Sequence, residues 1–200
     1  LANKNFGTSV NVNLTNKGGV LPVNNFIDGK HEKAYEISGE NMKEKHDTKY
    51  HTCKPCSIMC GHKGKFGDKI LPVPEYETVG MLGSNIGIFD SEKIAQWNII
   101  CSKMGIDTIS AGGTLGWVME AAEKGLINSD LKFGSSEGVS EALYDIGNCR
   151  EFGKEMAQGT RALAKKYGGG EFAIHVKGLE LAAYDPRGCY GQGLAYAVAN

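Results

Sequence analysis

The sequence has few prolines, no excess of either charge and no long apolar run. Lysine and arginine total 22 against 23 aspartates and glutamates, a net charge of −1. The clustered basic face of a nucleic-acid binder is therefore missing. The run Lys43, Lys45, Lys49 is broken by Glu44 and Asp47 and reads as a solvated face. No apolar stretch approaches the ~18–20 residues of a membrane span, and a cytoplasmic location is expected. No G-x-G-x-x-G follows a strand and no P-loop occurs, so the common nucleotide-binding sheets are not indicated. Only 5 prolines stand beside 28 glycines. The glycines are spread along the chain, which points to tight turns and close backbone approach to a large ligand rather than to a linker. The chain starts at Leu1 instead of methionine, and a fragment, a processed chain or an excised domain is expected.

What is present is organised around one stretch, Cys53-Lys54-Pro55-Cys56-Ser57-Ile58-Met59-Cys60-Gly61-His62. The spacing C-x2-C-x3-C lets three thiolates converge on one metal centre, and thiolates are ligands of zinc and of Fe–S clusters. Zinc patterns usually carry a second C-x2-C or H-x3-5-H pair, and none follows. An Fe–S cluster is the leading reading, with a zinc knuckle or free cysteines as alternatives. A fourth ligand has to come from His62, Cys101, Cys149, Cys189 or a residue outside this chain. Six cysteines in a non-secreted chain argue for metal over disulfides.

The remaining pattern is mostly helical. A short helix from about Thr8 to Lys17 is expected, capped by Thr8 and stopped at Gly18-Gly19, although the alternation Val10, Val12, Leu14 would equally suit a strand. An amphipathic helix over 31–45 turns Ala34, Ile37 and Met42 inward and is interrupted near Ser38-Gly39. Lys63–Phe66 and Lys69–Val73 flank Gly67-Asp68 as a hairpin. Pro74–Thr78 leads into a helix through Leu82 that breaks over Gly83–Gly87. Ser91 opens the clearest helix, with Ile94, Trp97, Cys101 and Met104 at helical spacing and Gly105 at its end. A further helix begins near Asp107 and stops at Gly125. Residues 137–147 and 150–167 read as two amphipathic helices. Phe172–Lys177 is extended, and a glycine-rich tail runs over Gly191–Tyr196. The β-α-β alternation of a nucleotide-binding sheet is missing. The fold class is mainly α: multi-helical lobes with short β-hairpins. A helical domain over 1–168 carries the cysteine loop, and 169–200 starts a second helical domain.

Three other groups of residues suggest chemistry. Glu75 and Glu77 lie two apart beside the cysteine loop among Tyr76, Val79 and Met81; partial burial would raise a carboxyl pKa and suit it to acid–base work, whereas the bland reading is a surface pair. His175 sits in the apolar run Ala-Ile-His-Val, where a hydrogen-bonded structural histidine is normal. On a strand, Lys177 would share its face, and together they could hold an anion. Gly105-Ile106-Asp107-Thr108 joins two helices and could pair a heterocycle through its carboxylate and backbone N–H groups, or be a plain connection.

Five blocks in order resemble the tungsten-containing aldehyde ferredoxin oxidoreductase family. They are Gly19-x-Leu21-Pro22-x-x-Asn25-Phe26; the cysteine motif with Gly61; Pro74-Glu75-Tyr76-Glu77-Thr78 with Gly83-Ser84-Asn85; Gly105-Ile106-Asp107-Thr108-Ile109-Ser110-Ala111-Gly112; and His175-Val176-Lys177-Gly178-Leu179-Glu180 with Asp185-Pro186-Arg187-Gly188. The resemblance implies a cytoplasmic, anaerobic enzyme with a tungsten or molybdenum bis-pterin beside a [4Fe–4S] cluster. It would oxidise an aldehyde to a carboxylic acid and pass electrons to ferredoxin. Cys53, Cys56 and Cys60 would be cluster ligands. Glu77 would match the glutamate near the metal, His175 the histidine near the substrate carbonyl, and Lys177 a pterin contact. Gly105, Ile106 and Asp107 would close a pterin loop of pattern D-x-x-G-L-D, in which Ser102 stands at the place of the first aspartate. The interface iron of some members is not expected, because Gln96 occupies its nearest glutamate position.

The resemblance covers the middle of a longer enzyme, whose N-terminal and C-terminal parts would be partners of this region. A homo-oligomer is possible, and no nucleic acid or membrane is involved. Alternatives are an aromatic thioester reductase of benzoyl-CoA type in the same family, or a non-catalytic metal-binding module. The isolated chain is expected to be inactive. Metal analysis of anaerobically purified protein checks the cysteine reading: iron with a broad visible absorption band is expected, and zinc alone would favour the structural module.

Overall fold

Glycine decides where the helices of this chain can touch. The computed structural model describes residues 2–51 and 54–198. The fold is mainly α, with a few short antiparallel strands. Helices α1 (Ala2–Phe6), α2 (Asn11–Gly18) and α3 (Gly39–His46) come first, with a 3₁₀ turn over Glu32–Ile37 before α3. Strands β1 (Lys49–Tyr50), β2 (His62–Phe66) and β3 (Lys69–Pro72) form one antiparallel sheet in that order, Tyr50 opposite His62 and Phe66 opposite Lys69. Next come α4 (Tyr76–Met81), α5 (Ser91–Met104), α6 (Thr108–Glu123), α7 (Val139–Asn148), α8 (Gly153–Met156) and α9 (Gly159–Tyr167). Strands β4 (His175–Val176) and β5 (Leu179–Glu180) make a hairpin before α10 (Tyr190–Val198). Among the described residues no helix is long and apolar enough to cross a membrane.

The central element is α6. Every residue from Ala111 to Ala121 is buried, as expected of a helix apolar on all sides. Its glycines admit neighbouring backbone: a Cβ on Gly112 would stand 2.4 Å from the Met81 carbonyl, and one on Gly113 2.8 Å from Glu180 Cγ. Thus α4 lies directly on α6, with α9 and β5 around the same helix. Trp117 is fully buried, donates to the Gly169 carbonyl at 3.2 Å and stacks on Phe172. One hydrophobic cluster runs from Val12 through Trp97 and Trp117 to Ala183.

Several local expectations hold. Ala34, Ile37 and Met42 are buried, and the break falls at Ser38, which caps α3 by accepting from Asn41 N–H. Gly67 takes the positive φ that opens the β2–β3 turn. Gly105, in left-handed geometry, ends α5. Trp97 is core, and its indole donates to Ser140.

Others are corrected. The expected helix at Thr8–Lys17 is a 3₁₀ turn over Thr8–Val10 followed by α2, and Thr8 caps neither. Its hydroxyl instead donates to Glu75 and accepts from Tyr76 N–H, because the segment docks on α4. The helix expected over 150–167 is two, α8 and α9; Gly159 at φ 79 breaks the register. The extended segment Phe172–Lys177 shrinks to His175–Val176. Lys177 and Gly178, both at positive φ, form the tight turn of a hairpin of the kind that right-handed strand twist favours. Lys177 therefore leaves the strand and does not share its face with His175. The glycine-rich tail is helix α10.

The α4–α6 contact gives a direct test. Gly112→Ala should cost a net ~2 kcal/mol by overpacking, despite the ~1 kcal/mol that alanine gains over glycine in a helix. Gly191→Ala, whose Cβ would meet nothing within 4 Å, should cost nothing. Thermal unfolding of both variants checks this.

Candidate functional site

The cysteine loop projects from a zipped base. Tyr50 pairs with His62, and His51 N–H donates to the Gly61 carbonyl at 2.9 Å, so the described residues 54–60 lie in an excursion between β1 and β2. Cys56 and Cys60 are half-buried on it. Cys53 lies outside the described residues. His62 is buried, and its ring nitrogens face two backbone carbonyls, Cys60 at 2.8 Å and Lys4 at 2.9 Å. It pins the loop to α1 and has no nitrogen left for a metal. Cys101 is fully buried in the core, and burial pushes its thiol up to about 12; a thiolate there is disfavoured. Cys149 is exposed at the end of α7, and Cys189 lies just before α10. Among the described residues no three His, Cys, Asp or Glu side chains gather as a metal site.

Glu77 stands in the first turn of α4 and is half-buried. Its Oε2 accepts from Ala183 N–H at 2.7 Å. Burial raises the carboxyl above its usual range, the Ala183 hydrogen bond opposes this, and the Asp107 charge adds to it. Glu77 lines an open cleft of about 340 Å³ with Thr8, Asn11, Glu75, Tyr76 and Tyr184. The Tyr184 phenol is likewise raised by burial, with Glu77 contributing. Glu75, exposed, is tied to Thr8 instead.

A second cleft, of about 430 Å³, contains the loop between α5 and α6. Gly105, Ile106 and Asp107 line it together with Gly178 and Glu180. A Cβ on Gly105 would meet nothing within 4 Å. Asp107 caps α6, its Oδ2 accepting from Ser110 N–H at 2.7 Å. Thr78 and Thr108 hydroxyls share a 2.9 Å hydrogen bond that ties α4 to the start of α6, which is how Glu77 and Asp107 come within electrostatic reach. Ser102 is exposed one turn before Gly105 and does not line this cleft.

His175 is half-buried, and its Nδ1 accepts from Gly178 N–H at 3.2 Å across the hairpin turn. Its Nε2 therefore carries the proton. Lys177 is exposed in that turn. The structure thus joins Gly105, Ile106 and Asp107 in one cleft and sets Glu77 in a neighbouring one, with His175 and Lys177 on neither cleft wall.

Sequence reasoning missed two groups. Thr8, Asn11 and Tyr184 come to Glu77 from distant segments and carry no local signal. Glu180 and Thr160 face each other beside the second cleft; Glu180 stands in the His-Val-Lys-Gly-Leu-Glu block, where a charged residue on an apolar strand was the available clue.

A family model described as aldehyde ferredoxin oxidoreductase, domains 2 and 3, matches residues 2–200. The chain is 40% identical over 203 residues to a tungsten-containing aldehyde ferredoxin oxidoreductase of Thermococcus kodakarensis, and 41% over 208 residues to one of Pyrococcus furiosus. Each match covers 98% of this chain and 34% of the relative, so the chain spans about a third of the length of these relatives. Among solved structures, the active-site complex BamBC of benzoyl coenzyme A reductase with 1,5-dienoyl-CoA superposes with a TM-score of 0.65 at 19% identity, over 90% of this chain and 29% of that one. That likeness is one of fold.

The raised Glu77 carboxyl gives a pH prediction. A group whose folded pKa lies above its unfolded value favours folding when protonated, and this contribution is lost as pH rises through the folded pKa. Glu77→Gln keeps an acceptor for Ala183 N–H and removes the buried charge. Its melting temperature should exceed that of the unsubstituted protein at pH 8, and the two should converge below the ordinary glutamate value of 4.5. Melting curves across pH check the sign.

Proposed function

The chain belongs to the aldehyde ferredoxin oxidoreductase family, and from that premise we propose that it is the central part of a tungsten- or molybdenum-pterin enzyme oxidising aldehydes to carboxylic acids. The reading is carried by identity of about 40% along 98% of the chain to tungsten-containing aldehyde ferredoxin oxidoreductases. Cys53, Cys56 and Cys60 would hold a [4Fe–4S] cluster, which would supply one-electron transfer toward ferredoxin.

The residues fit these groups. Cys53, Cys56 and Cys60 offer thiolates at cluster spacing. With His62 and Cys101 committed to the fold, the fourth ligand would be Cys149, Cys189 or a residue of another part of the enzyme. The cleft at Gly105–Asp107 is wide, open where a side chain at Gly105 would stand, and walled by carboxylates that accept from N–H donors; a pterin edge presents such donors. When bound, the metal–pterin group supplies the two-electron oxidation itself.

The chain's own residues handle protons and orientation. Ala183 N–H holds Glu77 Oε2, which leaves Oε1 to take the proton of the water that adds to the aldehyde carbon. A carboxyl raised toward neutrality is a better base than an exposed one. His175, its Nδ1 satisfied by Gly178, has Nε2–H as the donor for a carbonyl oxygen. Lys177 and Ser102 stand outside the Gly105–Asp107 cleft and would contact the cofactor beyond it, Ser102 as a neutral substitute for the usual aspartate.

The test uses the complete enzyme, purified without oxygen. Aldehyde-dependent reduction of ferredoxin is expected, and Glu77→Gln should lower kcat by about 10²–10⁴-fold with metal content unchanged. Reduction of an aromatic thioester without aldehyde oxidation would assign it to the reductase branch instead. The 200-residue chain alone should turn nothing over.

A further inference from the structure

Glu180 is a buried carboxylate with half of its acceptors filled. It sits on β5 with 7% of its surface exposed. Oε1 accepts from Thr160 N–H at 2.8 Å and from the Thr160 hydroxyl at 2.9 Å. Oε2 has no hydrogen bond among the described residues, and none of the ion pairs among them involves Glu180. The chain is built around this side chain at two other places. A Cβ at Gly159 would stand 2.8 Å from Oε1, and one at Gly113 would stand 2.8 Å from Cγ. Gly159 also takes φ 79, a conformation that disfavours other residues. Two helices therefore yield space to one carboxylate, and that carboxylate lines the 430 Å³ cleft that Asp107 also lines.

An ionised carboxylate only accepts hydrogen bonds. Its second oxygen has no protein donor among the described residues and is not sealed from solvent, so a donor in the cleft can reach it. The lining carries a second acceptor, Asp107, and neither lysine nor arginine lines the cleft. A phosphate or carboxylate ligand would be repelled there. A flat neutral heterocycle with N–H donors would suit both carboxylates.

We propose that Glu180 is a ligand-recognition residue of this cleft, accepting through Oε2 from the 2-amino-pyrimidinone edge of a pterin. The proposal rests on the reading of the cleft as a pterin site. Thr160 positions the carboxylate by holding Oε1, and Gly159 and Gly113 make room for it. The phosphate end of such a cofactor lies outside this cleft.

The experiment measures pterin per chain in the complete enzyme, as the fluorescent oxidised pterin released by acid, with circular dichroism melting as the check on folding. Glu180→Gln keeps the size and the bond to Thr160 but turns an N–H donor toward the ligand. Its pterin content should fall to about a tenth or less of the unsubstituted level. Full pterin content in folded Glu180→Gln overturns the proposal. Asp107→Asn, measured alongside, reports on the cleft itself. Pterin lost there but kept in Glu180→Gln removes only the role of Glu180; pterin kept in both removes the cleft as the pterin site.

Should Glu180→Gln fail to fold, the unsubstituted cofactor-free enzyme decides. It is titrated with pterin and with lumazine, in which an oxo group replaces the 2-amino donor. A preference of about tenfold or more for pterin is expected. Equal binding of the two, or binding of neither, overturns the proposal.

Discussion

The contact on which this fold depends is the approach of backbone to backbone at helix α6. Gly112 lets the Met81 carbonyl of α4 sit where a side chain would be, and Gly113 does the same for Glu180 of β5. Gly116 faces Asn25 and Asn85 side chains in the same way. A helix buried on every side cannot use a polar face to set its orientation. Here the missing side chains set it, because only one rotation of α6 presents its glycines to three neighbours together. Both clefts inherit this geometry: α4 carries Glu77, and the start of α6 carries Asp107.

A second constraint works at the N-terminal side of the site. Asn24, Asn25 and Phe26 are successive non-glycine residues at φ 48, 55 and 62, a left-handed run that costs about 1–2 kcal/mol per residue. The surroundings hold it. Asn24 and Asn25 N–H groups donate to the Ser84 and Asn85 carbonyls, and Asn25 Nδ2 donates to Glu120 and to the Phe172 carbonyl. Arg187 donates to the Phe26 carbonyl while paired with buried Asp185. Segments more than 160 residues apart in sequence meet in that turn. Strain of this kind persists where many partners over-determine it, and such places cluster near functional sites.

The two clefts divide the chemistry. The one at Glu77 has a carboxyl raised by burial and a tyrosine beside it, a setting for proton transfer. The one at Asp107 and Glu180 has acceptors and glycines, a setting for holding a flat ligand. The Thr78–Thr108 hydrogen bond and the Coulombic reach between Glu77 and Asp107 couple them. Occupation of one would therefore be felt by the carboxyl of the other.

What the sequence determined by itself is what periodicity, capping and turn chemistry encode locally. Helix α5 with its Gly105 stop, the break at Ser38, the β2–β3 hairpin and the core place of Trp97 were all legible, because each depends on residues within a few positions. The cysteine spacing and the five family blocks were legible for the same reason. Tertiary structure decided the rest. Thr8 looked like a helix cap, but a distant partner at Glu75 took its hydroxyl. Lys177 looked like a strand residue beside His175, but a two-residue turn took it off the strand. The 150–167 helix split because Gly159 had to yield to Glu180, twenty-one residues on. Glu77 was readable as a carboxyl near apolar residues, yet its raised pKa comes from burial and, after it, from the Asp107 charge, against the opposing Ala183 hydrogen bond, and only folding brings these together. Long-range neighbours set burial and hydrogen bonding, and neither leaves a mark in the local pattern of residues.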